Sequence, residues 1–337
     1  MVDLTTRWLG LTLRSPLVVG ASPITDDLDT ARQLADVGAG ALVLRSVFEE
    51  QIVAEQLATY QFVDSYTDLD AETSGFFPDI GDTTPPPLPL LGHLTQLKSA
   101  VDIPVVASLN GTTPGGWTGY ARQLQDAGAD AIELNLYDIA TRLDETGQII
   151  ETRQLDTVRD VVAAVDIPVS VKLSPFYASV PGFVAQIQQA GAAGVVLFNR
   201  FYQPDLDLDR LTVDRTLVRS TPAELPLRLH ALALLHERTG LDLAASGGVH
   251  RGTDAAKAIV CGAHVVQIVS ALLDDPPTAI ALINDELTTW LDHHRYATVA
   301  DARGTMALDN VADRSAWERL NYARILDSSQ ARTRRQP

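Results

Sequence analysis

Lysine is scarce in this chain: Lys98, Lys172 and Lys257 stand against 23 arginines. Where arginine is the default cation, a lysine inside the apolar stretch VSVKLSPFY marks a place that calls for a compact ammonium. Lys98 and Lys257 sit in helix-like stretches and need no special account. Two kinds of chemistry suit Lys172. It could form a Schiff base with a carbonyl substrate, or hold a fixed positive charge beside an electron-rich cofactor ring. A second cluster lies in AIELNLYDIATR, where an apolar run gives way to Asn135, Tyr137 and Asp138, side chains able to hydrogen-bond and to exchange protons. A third is SGGVHRGTDAAKAI. Its Gly247 and Gly248 allow backbone amides to approach an anion, and Ser270, at the end of VVQIVS, adds a donor. This pattern indicates a phosphate-bearing ligand without selecting one.

These residues need elements to bring them together. SAVDIPVVASLN (99–110) and AAVDIPVSVKLS (163–174) share AVDIPV, 64 residues apart. Small residues precede apolar runs in VGAGALVLRS, AGADAIELN, AGAAGVVLFN and CGAHVVQIVS, which reads as a helix closed by Gly and followed by a strand. The strands are continuous apolar runs, as expected for a parallel sheet covered on both faces. Eight are expected, at 16–20, 41–45, 104–108, 131–135, 168–172, 194–198, 242–246 and 264–268. Helices are expected at 27–37, 116–127, 152–165, 182–190, 222–238, 252–261 and 277–294. This alternation fits a (β/α)₈ TIM barrel, and no GxGxxG follows the first strand to support a dinucleotide-binding sheet. A long insertion, 47–98, stands in place of a simple second loop and helix. A second excursion, 199–220, follows strand six. Residues 1–325 are expected to form one barrel, with a polar tail at 326–337.

Active sites of such barrels lie at the C-terminal ends of the strands. The ends are Gly20-Ala21-Ser22, Arg45-Ser46, Ser108-Leu109-Asn110, Asn135, Lys172, Asn199, Ser246-Gly247-Gly248 and Ser270. Any one polar strand end is ordinary, because strand ends meet water. Three asparagines, a lysine and an arginine on one rim suit a flat, polar ligand.

Composition narrows the class. The chain has 337 residues, is 46% hydrophobic and carries a formal charge of −17. Such acidity argues against nucleic acid or an anionic membrane as partner and suits a small-molecule substrate. The single cysteine, Cys261, excludes an intramolecular disulfide and a cysteine-held metal or iron–sulfur cluster, and no metal site is read. Its apolar surroundings read as a buried structural thiol. With no leader or long apolar segment, a cytoplasmic location is expected.

The segments SPLVVGASPIT, ALVLRS, AIELNLYD, IPVSVKLSPFY, VVLFNR, SGGVHRGTDAAKAIVCGA and VVQIVSALL, in this order, resemble the soluble dihydroorotate dehydrogenase family. The resemblance spans roughly 4–305 and is strongest from 131 to 275. KLSPF and LFNRFYQPD are similar to a divergent branch of that family. The resemblance implies an FMN-containing barrel, a homodimer and hydride transfer from a substrate carbon to flavin N5. An adjacent carbon would lose its proton to a base after strand four. Fumarate would then take the electrons, or another acceptor through an iron–sulfur partner subunit. It puts Ala21 and Ser22 against the flavin, Lys172 and Arg45 near its ring, and Gly247, Gly248, Val269 and Ser270 around its phosphate. Asn135, Asn199 and the loop bearing Thr73 would contact the substrate.

The sequence departs from the family pattern where the base should be. Asn135-Leu136-Tyr137-Asp138 replaces an N-L-S-C-like motif, so Asp138 takes the base position and Tyr137 the preceding serine. Arg45 stands for a lysine, Val269 for a glycine, Thr73 and Ala140 for asparagines, and Arg200 for a serine. Retained flavin contacts with altered substrate contacts imply a flavoprotein with a shifted substrate, so the expected substrate is dihydroorotate or a related small ring or acid. Two other readings stand beside this one: a lyase or isomerase with Lys172 as Schiff-base nucleophile, and a catalytically silent flavin-binding barrel.

Overall fold

The computed structural model describes residues 2–48, 89–110, 117–137, 139–200, 205–214, 216, 218–318, 321–322 and 324–325. Eight parallel strands close on themselves: β1 (Leu17–Val19), β2 (Ala41–Val43), β3 (Val105–Asn110), β4 (Ala131–Asn135), β5 (Val169–Leu173), β6 (Gly194–Leu197), β7 (Asp242–Ser246) and β8 (Val265–Ile268). They pair in sequence order, and β8 pairs back onto β1. Helices follow the strands: α1 (Leu28–Asp36), α2 (Pro89–Ala100), α3 (Trp117–Asp126), α4 (Gly147–Ala164), α5 (Val180–Gln189), α6 (Leu225–Leu235), α7 (Gly252–Val260) and α8 (Pro276–His293). This is the (β/α)₈ barrel that the alternation predicts.

Helix ends explain the repeated small-residue punctuation. After α1, the Gly38 N–H donates to Ala35 O at 3.1 Å and the Ala39 N–H to Leu34 O at 2.9 Å. Gly38 has φ +97, the left-handed conformation that closes a helix at low cost only for glycine. Gly128, Gly191 and Gly262 repeat the arrangement after α3, α5 and α7.

Strand alternation separates two apolar layers. Leu17, Leu42, Val105, Ile132, Val171, Val195, Leu243 and Val266 pack in the layer shared with the helices. Val18, Ala41, Val43, Val106, Ala131, Val196, Ala244 and Val265 form a second cluster with Trp8, Leu9 and Leu13. Those three come from an antiparallel hairpin, Thr6–Trp8 with Leu11–Leu13, that the sequence did not reveal. The hairpin is tied to the N-terminal end of β7, where the Leu9 N–H donates to Asp242 Oδ2 at 2.6 Å.

Two expectations change. The region 47–98 does not replace the second helix, because α2 is present in its last part. Val47–Phe48 also adds a short strand alongside β3. The final residues of that region, LLGHLTQLKSA, form this helix because Leu91, Leu94 and Leu97 offer an apolar face to the core. The excursion after β6 contains an antiparallel hairpin, Asp205–Asp207 with Thr212–Asp214. Thr73 with its loop, Asp138 and the tail 326–337 lie outside the described residues. Among the described residues, no helix is long and apolar enough to cross a membrane.

The hairpin-closed end carries a pH-sensitive contact. His264 Nδ1 accepts the Leu243 N–H at 3.0 Å, so the ring proton resides on Nε2, 3.2 Å from Asp242 Oδ1. Burial pushes the imidazole down from 6.5 to about 4, against the opposing pull of Asp242 and with help from Arg303 and His236. Between those values the unfolded chain binds a proton that the folded chain does not, so stability is full above pH 6.5 and falls toward pH 4. The loss should reach about 3 kcal/mol. Urea unfolding between pH 7 and pH 4.5 should show this decline, and His264→Gln should remove most of the slope.

Candidate active site

The polar end of the barrel is built by strand register. Asn110 lies opposite Asn135, and Asn135 opposite Lys172. Alternation turns Glu133 and Asn135 of β4 to the same side as Lys172 of β5 and Gln267 of β8. Lys172 Nζ donates to Glu133 Oε1 at 3.2 Å and to Gln267 Oε1 at 2.9 Å. Gln267 Nε2 in turn donates to Glu133 Oε2, which closes a three-sided network. The Lys172 side chain is 9% exposed and that of Glu133 0%.

Asn135 is held by a second triangle. Its Nδ2 donates to Ser46 Oγ at 2.9 Å and Ser108 Oγ at 2.8 Å, and the two hydroxyls lie 2.7 Å apart. Both amide hydrogens are thereby engaged, and among the described residues nothing donates to the side-chain carbonyl oxygen, which a ligand can use as acceptor. Tyr137 follows the strand end, half-buried. Asn199, also half-buried, donates its backbone N–H to Leu173 O at 2.7 Å, and Arg200 pairs with Glu224 at 3.4 Å.

The glycine pair forms a cradle. Gly247 and Gly248 have φ +93 and +83. A Cβ on Gly248 would lie 2.6 Å from the Leu225 backbone nitrogen, and one on Gly247 2.9 Å from Arg228 Nη2. Among the described residues, nothing accepts the backbone N–H of Gly247, Gly248 or Val269. Ser270 Oγ accepts the Ser220 N–H at 3.0 Å, which leaves its hydroxyl hydrogen to donate. Arg228 is buried behind the cradle, donating through Nε to Ser246 O at 2.9 Å and through Nη1 to Glu224 O at 2.8 Å. Burial lowers the pKa of its guanidinium, with the Glu224 carboxylate opposing.

Val269 also explains Gly20. A Cβ on Gly20 would meet Val269 Cγ2 at 2.9 Å, so the bulk gained at 269 is matched by the absence of a side chain at 20. Ala21 follows, and buried Ser22 donates through Oγ to Gly20 O at 3.1 Å. Arg45 is not drawn into the buried group: its side chain is 58% exposed and pairs with Asp26 at 3.4 Å. Cys261 is buried away from this chemistry, its thiol pushed up to about 12 by burial.

Glu133, Gln267 and Arg228 were not singled out by sequence reasoning. A signal existed for the first two, since each interrupts an apolar strand with a polar side chain that must find a buried partner. Arg228 lies in LPLRLHALALL, where an arginine reads as an ordinary helix-surface residue.

Comparison with known sequences decides the family: the family model described as dihydroorotate dehydrogenase matches residues 91–291, more than half the chain. The chain belongs to the dihydroorotate dehydrogenase family. It is thereby one of the oxidoreductases acting on CH–CH bonds. Over 296 residues it is 27% identical to dihydroorotate dehydrogenase B (NAD(+)), catalytic subunit, of Methanocella arvoryzae, covering 84% of this chain and 91% of the relative. It is 29% identical to the protein of that name from Methanosarcina mazei, over 79% of this chain and 83% of the relative. It is also 26% identical to a putative dihydroorotate dehydrogenase A (fumarate) of Aeropyrum pernix, over 88% and 94%. The family match starts within α2 and ends within α8, so it contains Asn135, Lys172 and the Gly247–Gly248 cradle.

Proposed function

We propose that this protein is an FMN-dependent dehydrogenase that oxidises dihydroorotate or a related small ring or acid and passes the electrons to fumarate or another acceptor. The observation that carries this reading is the combination, at one barrel end, of a buried, doubly anchored lysine and a glycine cradle with uncommitted amides. The donor set fits FMN: amides and a hydroxyl for a phosphate, a cation for an electron-rich ring, and a glycine-led turn for its face. Bound there, FMN would supply a hydride acceptor at N5.

The chain's own residues would divide the remaining work. Gly247, Gly248, Val269 and Ser270 would hold the phosphate, and buried Arg228 behind them would add positive potential. Ala21 and Ser22 would lie against the ring and Lys172 would contact it, with exposed Arg45 on the rim. Asn135, fixed through both amide hydrogens, presents its carbonyl oxygen to the substrate, with Asn199 and Thr73 as further contacts. Asp138 would take the substrate proton, with Tyr137, its neighbour in sequence, as the alternative base.

The anchoring of Lys172 favours this over Schiff-base chemistry. A Schiff-base nucleophile attacks through an amine lone pair. Lys172 instead lies 3.2 Å from the buried Glu133 carboxylate, an ion pair that suits a fixed ammonium, which has no lone pair to offer. The decisive first test is whether purified protein carries or takes up FMN with a flavin absorbance band. A colourless protein that refuses FMN would sink the proposal.

We propose a second copy of the chain as partner. The hairpin after β6 exposes Leu206, Leu208, Leu211 and Val213 on one short element. Isolated exposed apolar residues are common, but a clustered set marks an association surface. Sedimentation should give a dimer for the wild type and a monomer for Leu208→Asp/Leu211→Asp. A monomeric wild type would overturn the assignment.

A further inference from the structure

We propose that Glu133 sets the reduction potential of the flavin by tempering the charge of Lys172, with Gln267 as the brace that holds the two together. This rests on the FMN reading above. Glu133 is a positioning residue, one step removed from the ring.

The network itself suggests the role. A carboxylate at 0% exposure pays a large desolvation penalty, which its pairing with Lys172 only partly returns. A neutral side chain of the same size would fill the space at lower cost. The charge sits 3.2 Å from Lys172 Nζ, in surroundings where charge–charge interactions are strong. Reduction places negative charge on the flavin, which the ammonium favours and the carboxylate opposes. Gln267 bonds to both groups, donating to Glu133 and accepting from Lys172, so neither can swing away independently. The arrangement joins β4, β5 and β8, which are rigid elements of the barrel.

The test is the midpoint potential of the FMN-loaded protein, measured anaerobically with a reference dye. Glu133→Gln removes a negative charge and should shift the oxidised–reduced equilibrium at least tenfold toward reduced flavin, about 30 mV positive for a two-electron couple. Gln267→Glu adds one and should shift it in the opposite direction. The exchange variant Glu133→Gln/Gln267→Glu keeps one carboxylate and one amide beside Lys172, and should return within threefold of wild type. Oxidised–reduced equilibria within twofold of wild type in both single variants would overturn the proposal, as would shifts of the same sign in both. If Glu133→Gln fails to fold, the sign of the Gln267→Glu shift decides alone. Failure of the wild type to bind FMN would refute the underlying functional reading; bound FMN with an unmoved potential refutes only the role of Glu133.

Discussion

Lys172→Met should lower the unfolding free energy by about 3–5 kcal/mol and weaken the hold on FMN. The stability loss comes from the partner left behind. Glu133 has no exposure, and once the ammonium is gone its carboxylate keeps, among the described residues, only the Gln267 amide as donor. Breaking a buried pair from one side strands an uncompensated charge, whereas replacing both members need not. Lys172→Met/Glu133→Gln should therefore recover at least half of the lost stability, because two amides can then bond to each other. FMN affinity should stay low in both variants, since neither restores a positive charge. Denaturant unfolding and FMN titration separate the two effects. A Lys172→Met protein as stable as wild type would show that the network carries little energy.

Asp138→Asn should slow flavin reduction about 10²–10⁴-fold while FMN remains bound. That range corresponds to roughly 3–5 kcal/mol of barrier. The residue follows Asn135, Leu136 and Tyr137 at the end of β4, where the family resemblance puts the proton-abstracting group. An aspartate is a weak base in water, with a pKa of about 3.9, and acts only when ionised, so the rate should rise with pH to a plateau. Tyr137→Phe is the companion experiment. If the phenylalanine variant loses the rate and the asparagine variant keeps it, the base is Tyr137.

The barrel was legible for physical reasons. Strands covered on both faces read as unbroken apolar runs, and the glycines at 38, 128, 191 and 262 mark helix ends because the left-handed turn there favours glycine. The strand ends then gave Asn135, Lys172 and Gly247–Gly248 without any structure. Less legible was whatever depends on contacts distant in sequence. Glu133 and Lys172 are 39 residues apart, and Lys172 and Gln267 are 95 apart, so the network has no local signature beyond two polar residues within apolar strands. The hairpin Thr6–Trp8 with Leu11–Leu13 escaped notice because such short strands gain their burial only from the barrel they close. Helix α2 was hidden by the long segment before it, although Leu91, Leu94 and Leu97 repeat at the spacing of a buried helical face. Arg45 was expected near the ring, and its exposed pairing with Asp26 depends on a rotamer that sequence does not specify.

The most direct measurement is anaerobic stopped-flow absorbance of the FMN-loaded protein mixed with dihydroorotate and, in parallel, with related small ring compounds and acids. The flavin band should bleach with at least one of them, at a rate that saturates with concentration and collapses in Asp138→Asn. A band left unchanged by every candidate would contradict dehydrogenase activity and leave a silent flavin-binding barrel. Borohydride trapping of a carbonyl substrate on Lys172 in a protein that binds no FMN would contradict the flavin assignment itself.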